Sequence, residues 1–229
     1  MKILITSGGT SESIDSVRSI TNHSTGRLGK KMADLFLNKG DHVTLVTTAA
    51  AVKPNKHKNL SILEVTNVES LIETLEPLVK EHDIFIHSMA VSDYTPVYMT
   101  DVKTLEHTKN METLLHHKNT ESKISSKADY QVLFLKKTPK VISLVKKWNP
   151  NITLIGFKLL VKTNKEELLN TARESLHNNQ ADYVLANDLA QISHDKHIAY
   201  LLDKHHVFKA QTKSEIAQLI FEKVRTNHD

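Results

Sequence analysis

Two rhythms of apolar residues alternate along this chain. Short apolar runs read as strands: Lys2-Ile3-Leu4-Ile5-Thr6, His42-Val43-Thr44-Leu45-Val46, Leu60 to Val65, Asp83 to Ser88 (buried on both faces), Thr153 to Phe157 and Asp182 to Ala186. Between them apolar positions recur at helical spacing. Leu28, Met32, Leu35 and Phe36 run up to Gly40, and Val68, Leu71, Ile72, Leu75 and Leu78 follow a cap at Asn67. Val141, Ile142, Val145 and Trp148 follow Thr138-Pro139, read as cap and first helical position, and Leu168, Leu169, Ala172 and Leu176 lie within Asn164 to Gln180. This alternation predicts an α/β protein: a Rossmann-like parallel sheet flanked by helices. At the end, Ile198–Leu202 and His206–Lys209 predict a C-terminal β-hairpin, and Thr212 to Arg225 a closing helix. Tyr130 to Leu135 reads as one more strand, but residues 97 to 130 before it follow neither rhythm. They are too long for an ordinary connection, and a lid or a dimerisation arm is expected there. Without a repeat or a compositional break, residues 1–229 read as one domain.

The first strand leads into Ser7-Gly8-Gly9-Thr10, and the first helix opens at Gly26-Arg27-Leu28-Gly29. A strand, a glycine-bearing loop and a helix N-terminus form a cradle for phosphate, because bare N–H groups point at the ligand. The spacing is not that of a dinucleotide fingerprint, since Thr10 to Thr25 separates the two glycine pairs. Ser24 and Thr25 are cap candidates, and the inserted residues Asp15, Arg18, Asn22 and His23 can all face a ligand. The second strand ends in Thr47-Thr48, with no acidic residue to hold an adenosine ribose. The fourth leads into Met89-Ala90-Val91-Ser92-Asp93-Tyr94-Thr95-Pro96, where Asp93 could meet a ribose hydroxyl or a magnesium ion, or cap a turn. Phe157, at a strand's carboxyl end, is placed either to stack a base or to fill the core.

Composition narrows the classes. The 229 residues are 39% hydrophobic and 24% charged, with a net charge of +4 scattered among both signs, which favours small anions over nucleic acid. Without cysteine there is no intrinsic disulfide or thiolate chemistry. The fourteen histidines show no metal-ligand spacing on a helix face. No signal-peptide pattern and no bilayer-length apolar run is present, so a cytoplasmic protein without a membrane partner is expected. A short-chain-type NAD(P)-dependent reductase would carry a tighter glycine loop and a Tyr-x-x-x-Lys pair on a helix, and no expected helix bears one. A non-catalytic nucleotide-binding module would use the same cradle without turnover.

Four stretches together resemble phosphopantothenate–cysteine ligase. They are Ser7-Gly8-Gly9-Thr10 with Val17 to Gly26, Ala90 to Tyr94, Lys123-Ile124-Ser125-Ser126, and Gly156-Phe157 with Ala186-Asn187-Asp188. The resemblance covers nearly the whole chain and implies the free-standing bacterial form. It implies that CTP activates the carboxylate of 4′-phosphopantothenate as an acyl-cytidylate with release of pyrophosphate. Cysteine then displaces CMP, on the route to coenzyme A. Carried over residue by residue, Gly8, Ser24, Thr25, Gly26 and Gly29 match the triphosphate cradle. Asp93, Lys123, Phe157 and Asn187 match nucleotide contacts, Asn22 and Ala90 substrate contacts, and Asn22, Lys123 and Arg18 the catalytic positions. Magnesium would travel with CTP as co-substrate, with Asp93 the protein residue placed to touch it, and no tightly bound organic cofactor is implied. A homodimer with shared sites and a separate decarboxylase partner are implied as well. The chain departs from the family pattern at Ser125-Ser126, where it often has lysines, at Lys158, where it often has an acid, and at Ser175 to Asn179, where lysines often stand.

Overall fold

The computed structural model describes residues 1–117, 119, 122–193 and 195–226. Lys118, Thr120 and Glu121, inside the stretch expected as a lid or arm, lie outside the described residues.

All six apolar runs become neighbouring strands. They are β1 (Lys2–Ser7), β4 (His42–Thr47), β5 (Leu60–Glu64), β6 (Ile84–His87), β9 (Thr153–Leu160) and β10 (Tyr183–Ile192). They pair in parallel in the order β5-β4-β1-β6-β9-β10. The C-terminal hairpin, β11 (His197–Leu202) and β12 (Val207–Ala210), extends that sheet antiparallel beyond β10. One face is covered by α1 (Arg27–Asn38) and α7 (Lys213–Thr226), around Met32, Phe36, Ile216 and Ile220. The other is covered by α2 (Val68–Glu81), α5 (Ile142–Trp148) and α6 (Lys165–Asn178), around Leu71, Leu75, Val145 and Leu168. The strand order reverses direction at β1 and β6, so their carboxyl ends open a crevice between diverging connections.

Three elements depart from the expectation. Thr138 does not cap a helix. Its hydroxyl donates to the Ser92 carbonyl (2.5 Å), its N–H donates to the Asp93 carbonyl (2.9 Å), and α5 starts at Ile142. Ser24 and Thr25 do not cap α1 either. Gly26 stands at that position with φ 74°, and no side chain bonds the first turn. The expected lid is a ribbon with wider bounds, β7 (Tyr94–Asp101) against β8 (Gln131–Lys137), with the short helices α3 (Val102–Glu106) and α4 (Met111–Leu115) at its far end. Among the described residues no helix is long and apolar enough to cross a membrane.

Among the described residues, His87 and His197 are buried without a charged partner. His87 on β6 sits against Thr6, ring Nδ1 to Oγ1 2.8 Å, and burial pushes its pKa down to about 4. Burial, followed by the charge of Lys213, pushes His197 on β11 to about 4. Both are therefore neutral in the fold, whereas the unfolded chain protonates them near 6.5. Between about pH 6.5 and pH 4 the unfolded state binds more protons. Stability should be undiminished by this term above pH 6.5 and fall as pH drops through that window. Urea midpoints recorded from pH 7.5 to 4.5 check it, and a flat profile would contradict neutral burial.

Candidate functional site at the switch point

The β1 and β6 loops are stitched into one surface. Thr10 N–H donates to the Ala90 carbonyl (3.0 Å), and Ala90 N–H donates to the Gly8 carbonyl (2.9 Å). Thr10 Oγ1 accepts from Ser92 N–H (2.8 Å) and lies 2.9 Å from Ser92 Oγ. Ser88 Oγ donates to the Thr6 carbonyl (2.6 Å). Thr10 and Ser92 are buried, so the pair acts as a rivet between the loops rather than as a nucleophile.

Between those loops and the first helix, Ser11–Ser13 (β2) and Ser19–Thr21 (β3) form a small antiparallel hairpin. Glu12 on β2 is buried and accepts from Val68 N–H (2.8 Å), which seats the hairpin on the positive end of α2. β3 delivers Asn22 to the loops, with its N–H bonded to the Thr10 carbonyl (3.1 Å). The Asn22 amide nitrogen donates to the Ala90 carbonyl (3.3 Å) and to Ser92 Oγ (3.1 Å). A carbonyl is only an acceptor, so this contact fixes which end of the amide faces Ala90. Gly9 has to be glycine here, because a Cβ would collide with the Asn22 carbonyl oxygen.

The first turn of α1 carries no side-chain cap. Its N-terminal residue Gly26 has its carbonyl fixed by Ser7 Oγ (3.2 Å) and by Lys30 N–H (2.9 Å), and no acidic side chain stands in the turn. Gly29 is buried against Ser7, and Thr25 is fastened through its carbonyl to Val52 N–H (3.0 Å). Ser24 is half-buried and Thr25 exposed. Unbonded N–H groups at the end of a twelve-residue helix carry the partial positive charge that polyphosphate needs.

Phe157 does not end its strand as expected, because β9 continues to Leu160, and Asn187 likewise lies within β10. Phe157 is half-buried and packs on the core shared with α1 and α7, so its ring belongs in part to that core. Asn187 is buried, with its amide nitrogen 3.1 Å from His197 Nε2. The neighbouring Asp188 is structural. Its carboxylate accepts from Ala190, Lys162 and Thr163 N–H groups (2.9, 2.9 and 3.1 Å), and these bonds hold its pKa below the usual carboxylate range.

The remaining expected residues lie towards the arm. Asp93 is exposed at its root, and Lys123 is exposed on its return. Arg18 is not directed at the phosphate cradle. Its guanidinium is held by Asp15 (Nη2–Oδ2 2.5 Å) and by the Ile124 carbonyl (3.1 Å). The Asp15 side chain is likewise buried against Arg18 rather than facing a ligand, and Arg18 holds its pKa far below the ordinary range. Sequence reasoning missed Ser7, Thr10 and Ser92 as structural partners, although all three lie inside the motifs that it singled out.

This arrangement has counterparts. A family model described as the DNA/pantothenate metabolism flavoprotein C-terminal domain matches residues 1–121 and 114–227. The chain belongs to that family. The resemblance drawn from the loop motifs is thus borne out at family level. A curated relative, the coenzyme A biosynthesis bifunctional protein CoaBC of Methanocaldococcus jannaschii, is 33% identical over 227 residues. That alignment covers 98% of this chain and 50% of the relative, so the chain spans about half the length of its curated counterpart. A crystal structure of the DNA/pantothenate metabolism flavoprotein from Streptococcus pneumoniae shares 55% identity with a TM-score of 0.96, covering all of both chains. A Cab2 variant solved in complex with phosphopantothenate-cysteine has the same fold, with a TM-score of 0.74 and 20% identity over all of this chain and 86% of that one.

Proposed function

We propose that this chain joins 4′-phosphopantothenate to cysteine with CTP, through an acyl-cytidylate. The observation that carries the proposal is the Asn22 amide locked onto Ala90 beside the uncapped, acid-free N-terminus of α1. One half of the crevice suits a triphosphate and the other an acyl group. Family membership and the relative named for coenzyme A biosynthesis support this reading. So does the fold shared with a protein whose complex holds phosphopantothenate-cysteine.

A carboxylate is a poor acyl donor until its oxygen belongs to a good leaving group. In the first step a carboxylate oxygen attacks the α-phosphorus of CTP, and the bond to the bridging oxygen breaks to release pyrophosphate. Two anions must approach, and the α1 N–H groups at Gly26 to Gly29, together with Lys123, offset their repulsion. In the second step the cysteine nitrogen attacks the acyl carbon. The bond to CMP breaks, and the amine loses a proton. Asn22 orients the acyl group beside Ala90, and its neutral amide neither titrates nor repels the nucleophile. Phe157 and Asn187 line the nucleotide's distal end, and Ser24 and Thr25 flank its phosphates.

Magnesium would neutralise the triphosphate. Among the described residues no group of three or more His, Asp or Glu could hold a metal ion. In this reading the ion travels on the nucleotide, with Asp93 as its protein contact. The arm rooted beside Ala90 suits a homodimer with shared sites, and a decarboxylase supplies the logical partner activity.

The test uses purified protein, 4′-phosphopantothenate, cysteine and each nucleoside triphosphate in turn. Pyrophosphate release with CTP and a cysteine-dependent amide product are expected. Nucleotide binding with no pyrophosphate from any triphosphate would leave a non-catalytic binding module in place of the ligase.

A further inference from the structure

The return of the arm is exposed at Ser122, Lys123 and Ser125, yet Ile124 between them is buried. Both backbone polar groups of Ile124 are gripped. Its N–H donates to Asp15 Oδ2 (3.1 Å), and its carbonyl accepts from Arg18 Nη2 (3.1 Å). Beside them Ser16 N–H donates to the Ser122 carbonyl (3.1 Å). Asp15 is itself fixed: Oδ1 accepts from Val17 and Arg18 N–H groups (3.0 and 2.9 Å), and Oδ2 from Arg18 Nε (3.0 Å) and Nη2 (2.5 Å). The Asp15 side chain has no exposed surface. This turn joins β2 to β3, and β3 runs directly into Asn22.

A polar segment on the outside of an arm gains little from an ion pair as such. An ion pair that orients a donor and an acceptor onto one residue, 109 positions away from the carboxylate, does something else: it sets the place of that residue's neighbour. We propose that Asp15 and Arg18 form a clasp that positions Lys123 for the triphosphate and ties it to the strand carrying Asn22, an inference that rests on the ligase reading of Lys123. Asp15 and Arg18 are then positioning residues. They act through Lys123, and neither needs to touch the nucleotide.

Asp15→Asn tests the clasp with little change of shape. The turn can keep its acceptor at Oδ1, but an amide NH2 replaces the oxygen that Ile124 N–H needs. Expected are faster hydrogen exchange at the Ile124 amide, a lower urea midpoint because the amide NH2 also faces the Arg18 donors, and a loss in kcat/KM for CTP of about threefold or more in the protein that remains folded. That loss has a ceiling at roughly the 30-fold expected for losing Lys123 itself. Arg18→Lys, which keeps the charge without the fork, should give the same signature in milder form. The decisive measurement is the cycle with Lys123→Gln: once Lys123 is gone, Asp15→Asn should add almost nothing. Fully additive losses, or unaltered exchange at Ile124 in an active enzyme, overturn the clasp. A wild-type protein that releases no pyrophosphate would overturn the ligase reading and the positioning role with it, and the exchange result would still report whether the contact holds the arm.

Discussion

Asn22→Asp is expected to slow the cysteine step about 10²-fold, the scale of disturbing one preorganised group beside an acyl centre, with far less effect on pyrophosphate release. The structure supplies two reasons. The amide nitrogen of Asn22 faces the Ala90 carbonyl and Ser92 Oγ, so a carboxylate oxygen in its place meets a carbonyl head-on. The new negative charge also lies beside the phosphate ester that must leave as CMP, and it opposes the charge that develops there. In the proposed mechanism the first step draws on the α1 N–H groups and Lys123, which the substitution leaves untouched. Rapid quench with labelled CTP separates the steps. A burst of pyrophosphate with acyl-cytidylate accumulating on the enzyme is the expected trace. Product formation at the wild-type rate would remove Asn22 from the mechanism.

Lys123→Gln should cost about 2 kcal/mol in the transition state of the first step, roughly 30-fold in kcat/KM for CTP, if the ammonium is desolvated over phosphate. Without a ligand Lys123 is exposed, and the neighbouring Ile124 carries the anchorage. Its contribution therefore appears only once the triphosphate covers it, and the free protein should be no less stable without it. Steady-state kinetics at several CTP concentrations, with a urea titration alongside, check both halves. An unaltered kcat/KM would make Lys123 a solvated surface lysine.

The substitutions differ in what the family pattern could forecast. Asn22, Gly26 and Lys123 stand in local strings that are recognisable without coordinates. The partners that give them direction stand elsewhere. Ala90 and Ser92 hold Asn22 across nearly 70 residues, and Asp15 and Arg18 reach Ile124 across more than 100. Arg18 shows the limit most plainly. An arginine in a phosphate-binding motif reads as a phosphate ligand, but the structure gives it a buried carboxylate one turn away.

By itself the sequence determined the order and type of the main elements, because burial on one or two faces imposes a period on each segment. It thereby settled the parallel sheet and the closing hairpin, and it marked the loop between Gly8 and Gly29 as the candidate phosphate cradle. It could not yield the β2–β3 hairpin, whose three-residue polar strands carry no period, nor the full extent of the β7–β8 ribbon. Nor could it settle which end of an amide faces a loop, or that His87 and His197 are held neutral. Those features depend on which groups the finished fold brings within hydrogen-bonding distance and removes from water. Periodicity acts along the chain, whereas pairing and desolvation act across it, and only the tertiary structure decided them.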